Sequence, residues 1–117
     1  MILDWLFGRR TVAVSVSVDE AAELLRRQHL LVDIREAFEF ASDRVPGARS
    51  LPLSKLRKGA FELDSTRPWL VICRSGHRSS IATRMLAQQG LTVKNVDGGM
   101  QAWRRAGLPI ETKQKRS

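Results

Sequence analysis

A single cysteine, Cys73, stands in a chain of 117 residues, and that scarcity excludes both an intramolecular disulfide and a cysteine-rich zinc site. It also fits a reducing compartment, where a thiol stays free. Histidines are nearly as scarce. His29 and His77 alone leave little scope for a metal centre, and neither metal nor cofactor is expected. Long hydrophobic runs are absent too. The stretch from Met1 to Phe7 is interrupted by Asp4 and falls far short of the ~20 apolar residues that cross a bilayer. Arg9-Arg10 ahead of Val12-Ala13-Val14 faintly resembles a twin-arginine signal, but serines break the apolar stretch and no small-residue cleavage site precedes Asp19. A cytoplasmic protein is therefore expected, with residues 1–11 as an apolar arm docking on the domain or on a partner. No internal repeat is visible, and only the segment past Glu111, ending in a basic tail over 113–117, is low in complexity.

What is present suits one soluble globular domain, here residues 12–112: 43% of the chain is hydrophobic and 27% charged. The formal net charge is +8, from 20 lysines and arginines against 12 acids. Basic pairs occur at Arg9-Arg10, Arg26-Arg27 and Arg104-Arg105, but no aromatic residues interleave with them, so nucleic acid is not expected as a partner. Anionic small molecules and acidic partners suit the charge better.

Along the chain, strand and helix patterns alternate. Val12, Val14, Val16 and Val18 have the period of a strand, and Ser17 with Glu20 forms a capping-box pattern for a helix carrying Ala21, Leu24 and Leu25 on one face. Leu30–Ile34, an apolar run broken by Asp33, and the apolar run Trp69–Ile72 suit buried parallel strands, and Thr92–Val96 is expected to be another buried strand. Glu36–Ser42 suggests a brief helix, Ala48–Leu53 an edge strand weakened by Pro52, and Ser54–Gly59 a weak helix or turn. Ser79–Gln89 predicts a helix capped by Ser79 or Ser80 and closed by Gly90, and Met100–Arg105 predicts a last helix with Trp103 in the core. The expected fold is α/β: a small parallel β-sheet flanked by helices on both faces, with its site at the carboxyl ends of strands.

Cys73 falls at such an end. The apolar run Trp69–Ile72 delivers it into the polar loop Arg74-Ser75-Gly76-His77-Arg78, and a helix pattern follows at once. Backbone N–H groups, the positive end of a helix dipole and two arginines then surround the sulfur, and all favour the nucleophilic thiolate. Gly76 permits the turn with positive φ. Arg78, then Arg74, is the choice for an anion contact; for Arg78 a salt bridge with Asp33 is the competing role. His77 is either a base for the cysteine or a side chain turned to solvent. Asp33 and Arg35 are assigned to the scaffold.

Three segments in order resemble the rhodanese family: Val32-Asp33-Ile34-Arg35 with Glu39-Phe40, Val45-Pro46-Gly47-Ala48 and Leu51-Pro52-Leu53; the loop Cys73 to Ser79; and Gly90-Leu91 with Val96-Asp97-Gly98-Gly99-Met100, Trp103 and Gly107-Leu108-Pro109. The likeness spans roughly residues 17 to 112 and identifies the chain as a member, a single-domain rhodanese. It departs from the family at Asp43-Arg44, where glycine and histidine are common, and a change of turn backbone is expected there; no catalytic weight is placed on Arg44. The resemblance implies a sulfurtransferase without cofactor. Cys73 takes sulfane sulfur from thiosulfate or a persulfide donor and yields it to cyanide, a thiol or a sulfur-relay protein. Arg74, Ser75, Gly76, His77, Arg78 and Ser79 form the binding loop, supported by Asp33 and Arg35. A dedicated persulfide carrier or binding module for one protein partner is the alternative. A cysteine-dependent phosphatase is disfavoured, because such enzymes place five residues between cysteine and arginine where four separate Cys73 from Arg78.

Overall fold

The computed structural model describes residues 13–113. The apolar arm over residues 1–11, and the tail after Lys113, lie outside them. Five parallel strands make the sheet: β1 (Ser15–Val16), β2 (Leu30–Asp33), β4 (Arg49–Ser50), β5 (Trp69–Ile72) and β6 (Val93–Val96). Their spatial order is β1-β6-β5-β2-β4, which puts β5 in the centre. Its register sets Leu70 opposite Leu31 and Lys94, and Val71 opposite Val32 and Asn95.

Side-chain alternation along β5 builds two core layers. Leu70 and Ile72 join Val16, Leu31, Val96, Met100 and Trp103 on one face, under helices α1 (Val18–Arg26) and α5 (Gly99–Arg105). Trp69, Val71 and Cys73 turn the other way, among Val32, Ile34, Leu56, Ala82 and Leu86, under α3 (Leu53–Arg57) and α4 (His77–Gln88). Each large apolar side chain so buried contributes roughly 1.5–3 kcal/mol, which anchors the central strand, and with it the cysteine, from both sides. The expected α/β sandwich is the observed one, and Trp103 is a core residue whose indole N–H donates to the Pro109 carbonyl at 2.8 Å.

The boundaries hold two corrections and one unforeseen pairing. β1 ends at Val16 because Ser17 caps α1, its Oγ accepting from Glu20 N–H at 3.1 Å, so Val18 begins a helix instead of ending a strand. α4 starts at His77, not Ser79: its cap is Gly76, with no side-chain cap bond. The unforeseen pairing is a small antiparallel ribbon, β3 (Asp43–Arg44) with β7 (Glu111–Thr112), closed by an ion pair of 3.2 Å between Arg44 and Glu111. The remaining helix, α2 (Ala37–Ser42), stands beside the site.

Candidate active site

Cys73 follows directly on β5 and is wholly buried. The chain reverses after it because Gly76 adopts φ 100°, a left-handed conformation that side chains disfavour, and α4 then begins at once. This turn aims two backbone donors at the sulfur. Gly76 N–H reaches Sγ at 3.1 Å and Ser79 N–H at 3.2 Å. Among the described residues, the N–H groups of Arg74, Ser75, His77 and Arg78 donate to no protein acceptor. Such a ring of unpaired donors at the start of a twelve-residue helix is a concave site for negative charge.

The loop is bolted from behind by the start of α5. Met100 N–H donates to the Cys73 carbonyl at 2.8 Å, and Gln101 N–H to the Arg74 carbonyl at 3.0 Å. Gly99 makes that approach possible: a Cβ there would lie 2.7 Å from the carbonyl carbon and oxygen of Arg74. The Asp97-Gly98-Gly99 turn is thus a seat for the cysteine loop.

Charges hold the loop's other end. Arg78 donates from both Nη atoms to Glu39 on α2, at 2.9 and 3.3 Å. The bond from Arg78 holds the Glu39 carboxyl below the usual glutamate range, and the carboxylate in turn raises Arg78. The alternative pairing of Arg78 with Asp33 does not form. Asp33 is taken by Arg35, two residues along, whose Nε and Nη2 lie 2.8–3.1 Å from its carboxylate, both side chains being buried. Arg35 also donates to the side chain and backbone carbonyl of Asp43, at 3.2 and 2.6 Å. Burial works against ionisation of Asp43, but hydrogen bonds from Arg104 and Arg35 outweigh it and hold that carboxyl low.

Residues 17–106 match the Rhodanese-like domain family. The chain belongs to that family. It is 44% identical over 82 residues to a sulfurtransferase from Allochromatium vinosum, covering 69% of this chain and 77% of the relative. It is 37% identical over 97 residues to the thiosulfate sulfurtransferase GlpE of Pseudomonas savastanoi, covering 81% and 91%. The crystal structure of a rhodanese-related protein from Thermoplasma volcanium superposes with a TM-score of 0.79 at 31% identity, covering 84% of this chain and 97% of that one. Two further curated relatives are longer, and the chain spans about half of each, 42% and 52%. Membership and these relatives support sulfur transfer as the class of chemistry. No helix among the described residues is long and apolar enough to cross a membrane.

Within this rhodanese domain the loop residues expected from sequence divide into three groups. Gly76 and Ser79 present N–H groups to the sulfur; Arg74, Ser75 and His77 are exposed at the rim; Arg78 is half-buried on Glu39. His77 makes no hydrogen bond to Cys73, as its solvent-facing reading had it. Among the described residues Asp33 and Arg35 pair with each other and make no side-chain hydrogen bond to the loop, although Arg35 lines the cleft that Arg74 borders. Sequence reading gave Glu39, part of the family resemblance, no role at the site and missed Asn95. The Asn95 side chain, buried on β6, accepts from the Ser79 hydroxyl at 2.5 Å and donates to Ser15 at 3.2 Å. That turns the hydroxyl of Ser79 away from the sulfur and leaves its N–H there. An asparagine between Lys94 and Val96, in a segment expected to be a buried strand, was the available signal.

Proposed function

We propose that the protein is a sulfurtransferase that carries sulfane sulfur on Cys73, with thiosulfate or a persulfide as donor. The observation that carries this is the sulfur at the focus of Gly76 and Ser79 N–H groups, inside a loop with four more unengaged donors. The Cys73 thiolate attacks the outer sulfur of thiosulfate. The S–S bond of the donor breaks, its electron pair leaves with sulfite, and Cys73 becomes a persulfide anion. An acceptor thiolate or cyanide then attacks the outer sulfur, and the pair returns to Cys73. No general base is required, since no proton moves at the sulfur in either step.

The loop donors are assigned to stabilising the persulfide's charge. Arg74, exposed and without an ion pair among the described residues, is the anion contact, ahead of Arg78, whose guanidinium is occupied by Glu39.

Intact-protein mass spectrometry tests the reading. Incubation with thiosulfate is expected to add one sulfur atom, removed by cyanide as thiocyanate and never gained by Cys73→Ser. Failure to gain sulfur from thiosulfate, polysulfide or a persulfide-donating protein would remove the reading. Loading without turnover would make the protein a carrier.

A further inference from the structure

Phe38 is 75% exposed, one of two large hydrophobic side chains on the described surface that are left to water, and it stands beside the reactive loop. It occupies α2 next to Glu39, the residue that holds Arg78. The cleft it borders has a volume of about 270 Å³ and is walled by Ser42, Asp43, Arg74 and Arg104. Arg74 belongs to both cleft and loop, so whatever fills the cleft comes within one residue of Cys73.

Thiosulfate, sulfite and cyanide have no use for an aromatic ring at the rim. A polypeptide does, because an exposed ring beside a small depression is the form an interface anchor takes. The cleft is below the size of typical small-molecule pockets, ~300 Å³ and upward, and fits one or two side chains of a longer segment. The charge points the same way. Asp43 is matched by Arg35 and Arg104, and Glu39 by Arg78, whereas Arg74 has no ion pair among the described residues and the chain as a whole carries +8. A segment that contributes an apolar residue to Phe38 and a carboxylate to Arg74 complements both.

We propose that Phe38 and the Arg74 side of this cleft dock an acceptor protein whose reactive thiol sits in an acidic segment next to an apolar residue. This rests on the persulfide reading of Cys73. The acceptor thiol loses its proton to solvent, and its thiolate attacks the outer sulfur of the Cys73 persulfide. The S–S bond breaks with its pair returning to Cys73, and the acceptor leaves as the persulfide. Docking brings the attacking sulfur to the loop mouth, where a thiol free in solution would seldom arrive in line.

The test compares sulfur-loaded protein with its Phe38→Ser variant. The acceptors are cyanide and three synthetic peptides with one central cysteine: flanked by leucines and glutamates, by glycines and glutamates, or by leucines and lysines. Turnover with cyanide is expected to be the same in both proteins. The leucine–glutamate peptide is expected to react ~10-fold slower with Phe38→Ser, the loss of one interface anchor, and the glycine–glutamate peptide equally with both. The lysine peptide is expected to be the poorest of the three relative to its intrinsic reactivity. Equal rates for the leucine–glutamate peptide with both proteins would overturn the proposal while leaving the persulfide reading intact. A wild-type dimer by sedimentation that Phe38→Ser dissolves would assign the ring to self-association and overturn it as well. Failure of cyanide to draw sulfur from either protein would remove the persulfide reading and this proposal together.

Discussion

Glu39 grips Arg78 through two hydrogen bonds, of 2.9 and 3.3 Å, and so ties the short helix α2 to the first turn of the helix that follows Cys73. The two residues are 39 apart in sequence, and both side chains remain partly exposed, 32% for Arg78 and 20% for Glu39. The pair therefore stabilises the fold by about 1 kcal/mol, the upper end for exposed pairs. Its larger consequence is to occupy the guanidinium nearest the loop's far end.

The pair makes a pH-dependent contribution with a definite sign. Arg78 holds the Glu39 carboxyl below its ordinary value of 4.5. A carboxyl whose folded value is depressed contributes stability that is fully present above the unfolded value and is lost as pH falls through the folded one. Glu39→Gln is thus expected to be less stable than wild type by about 1 kcal/mol near pH 6.5, with the gap closing below pH 4.5. Urea unfolding of both proteins across that range measures it. A gap that persists undiminished in acid would show that the glutamate acts by shape and not by charge.

The reach of sequence reading follows from how local each signal is. The apolar run before Cys73, the glycine three residues later and the helix pattern after it sit within one short segment, so strand, loop and nucleophile were legible together. Partners chosen in space were not. Arg78 and Asp33 lie at the same edge of the sheet and invite pairing, but Arg35, on the same strand end as Asp33, reaches it first with Nε and Nη2. Ser79 and Ser80 have the chemistry of caps, yet the left-handed Gly76 starts α4 before either can serve. The β3–β7 ribbon has two residues in each strand and joins Asp43 to Thr112, a contact no local pattern announces.

Asn95 supplies a second prediction. Its amide satisfies the Ser79 hydroxyl and Ser15 at once, in a site with Asn95 and Ser79 buried. Asn95→Leu keeps the volume but strands the Ser79 hydroxyl, at an expected cost of about 1–3 kcal/mol. Ser79→Ala in the same protein removes the stranded group and is expected to restore part of that loss. The rate of Cys73 alkylation by iodoacetamide is expected to change in Asn95→Leu, since the first turn of α4, which carries the Ser79 N–H bonded to Sγ, loses its side-chain tie to β6. Loss of stability with an unaltered alkylation rate would confine Asn95 to the scaffold.

Gly99 bears on the loop more directly. Its φ is 55°, and a methyl group there would drive into the Cys73 carbonyl and lie 2.7 Å from the backbone of Arg74. These are main-chain atoms of the reactive loop, which cannot yield without moving the sulfur. Gly99→Ala is expected to cost more than about 2 kcal/mol, the range of overpacked and strained sites, and to slow sulfur loading of Cys73. Gly107→Ala is the control. Gly107 has φ 71° with open space around its missing Cβ, so only the left-handed backbone cost of about 1–2 kcal/mol applies. Equal losses in the two variants, with equal loading rates, would show that Gly99 is there for its backbone angle alone.

Asp43 stands at the position where the resemblance to the family places glycine. Asp43 is extended, with φ −156° and ψ 156°, a conformation any residue adopts. What the aspartate adds is charge. Its carboxylate accepts from Arg35 Nη1 at 3.2 Å and from Arg104 Nε and Nη2 at 3.0 and 2.6 Å, joining the strand end that carries Asp33 to the last helix. Replacing it with the family's usual glycine removes both pairings and adds backbone freedom worth roughly 0.5–1 kcal/mol in the unfolded chain. The expected total is a destabilisation of about 2–3 kcal/mol, because the buried Arg35 loses one of its two carboxylates. Asp43→Ala separates the contributions, losing the ion pairs but not the backbone term. Urea unfolding should place Ala between wild type and Gly. Were Gly as stable as wild type, the Arg35 guanidinium would be satisfied by Asp33 and the Asp43 backbone carbonyl alone.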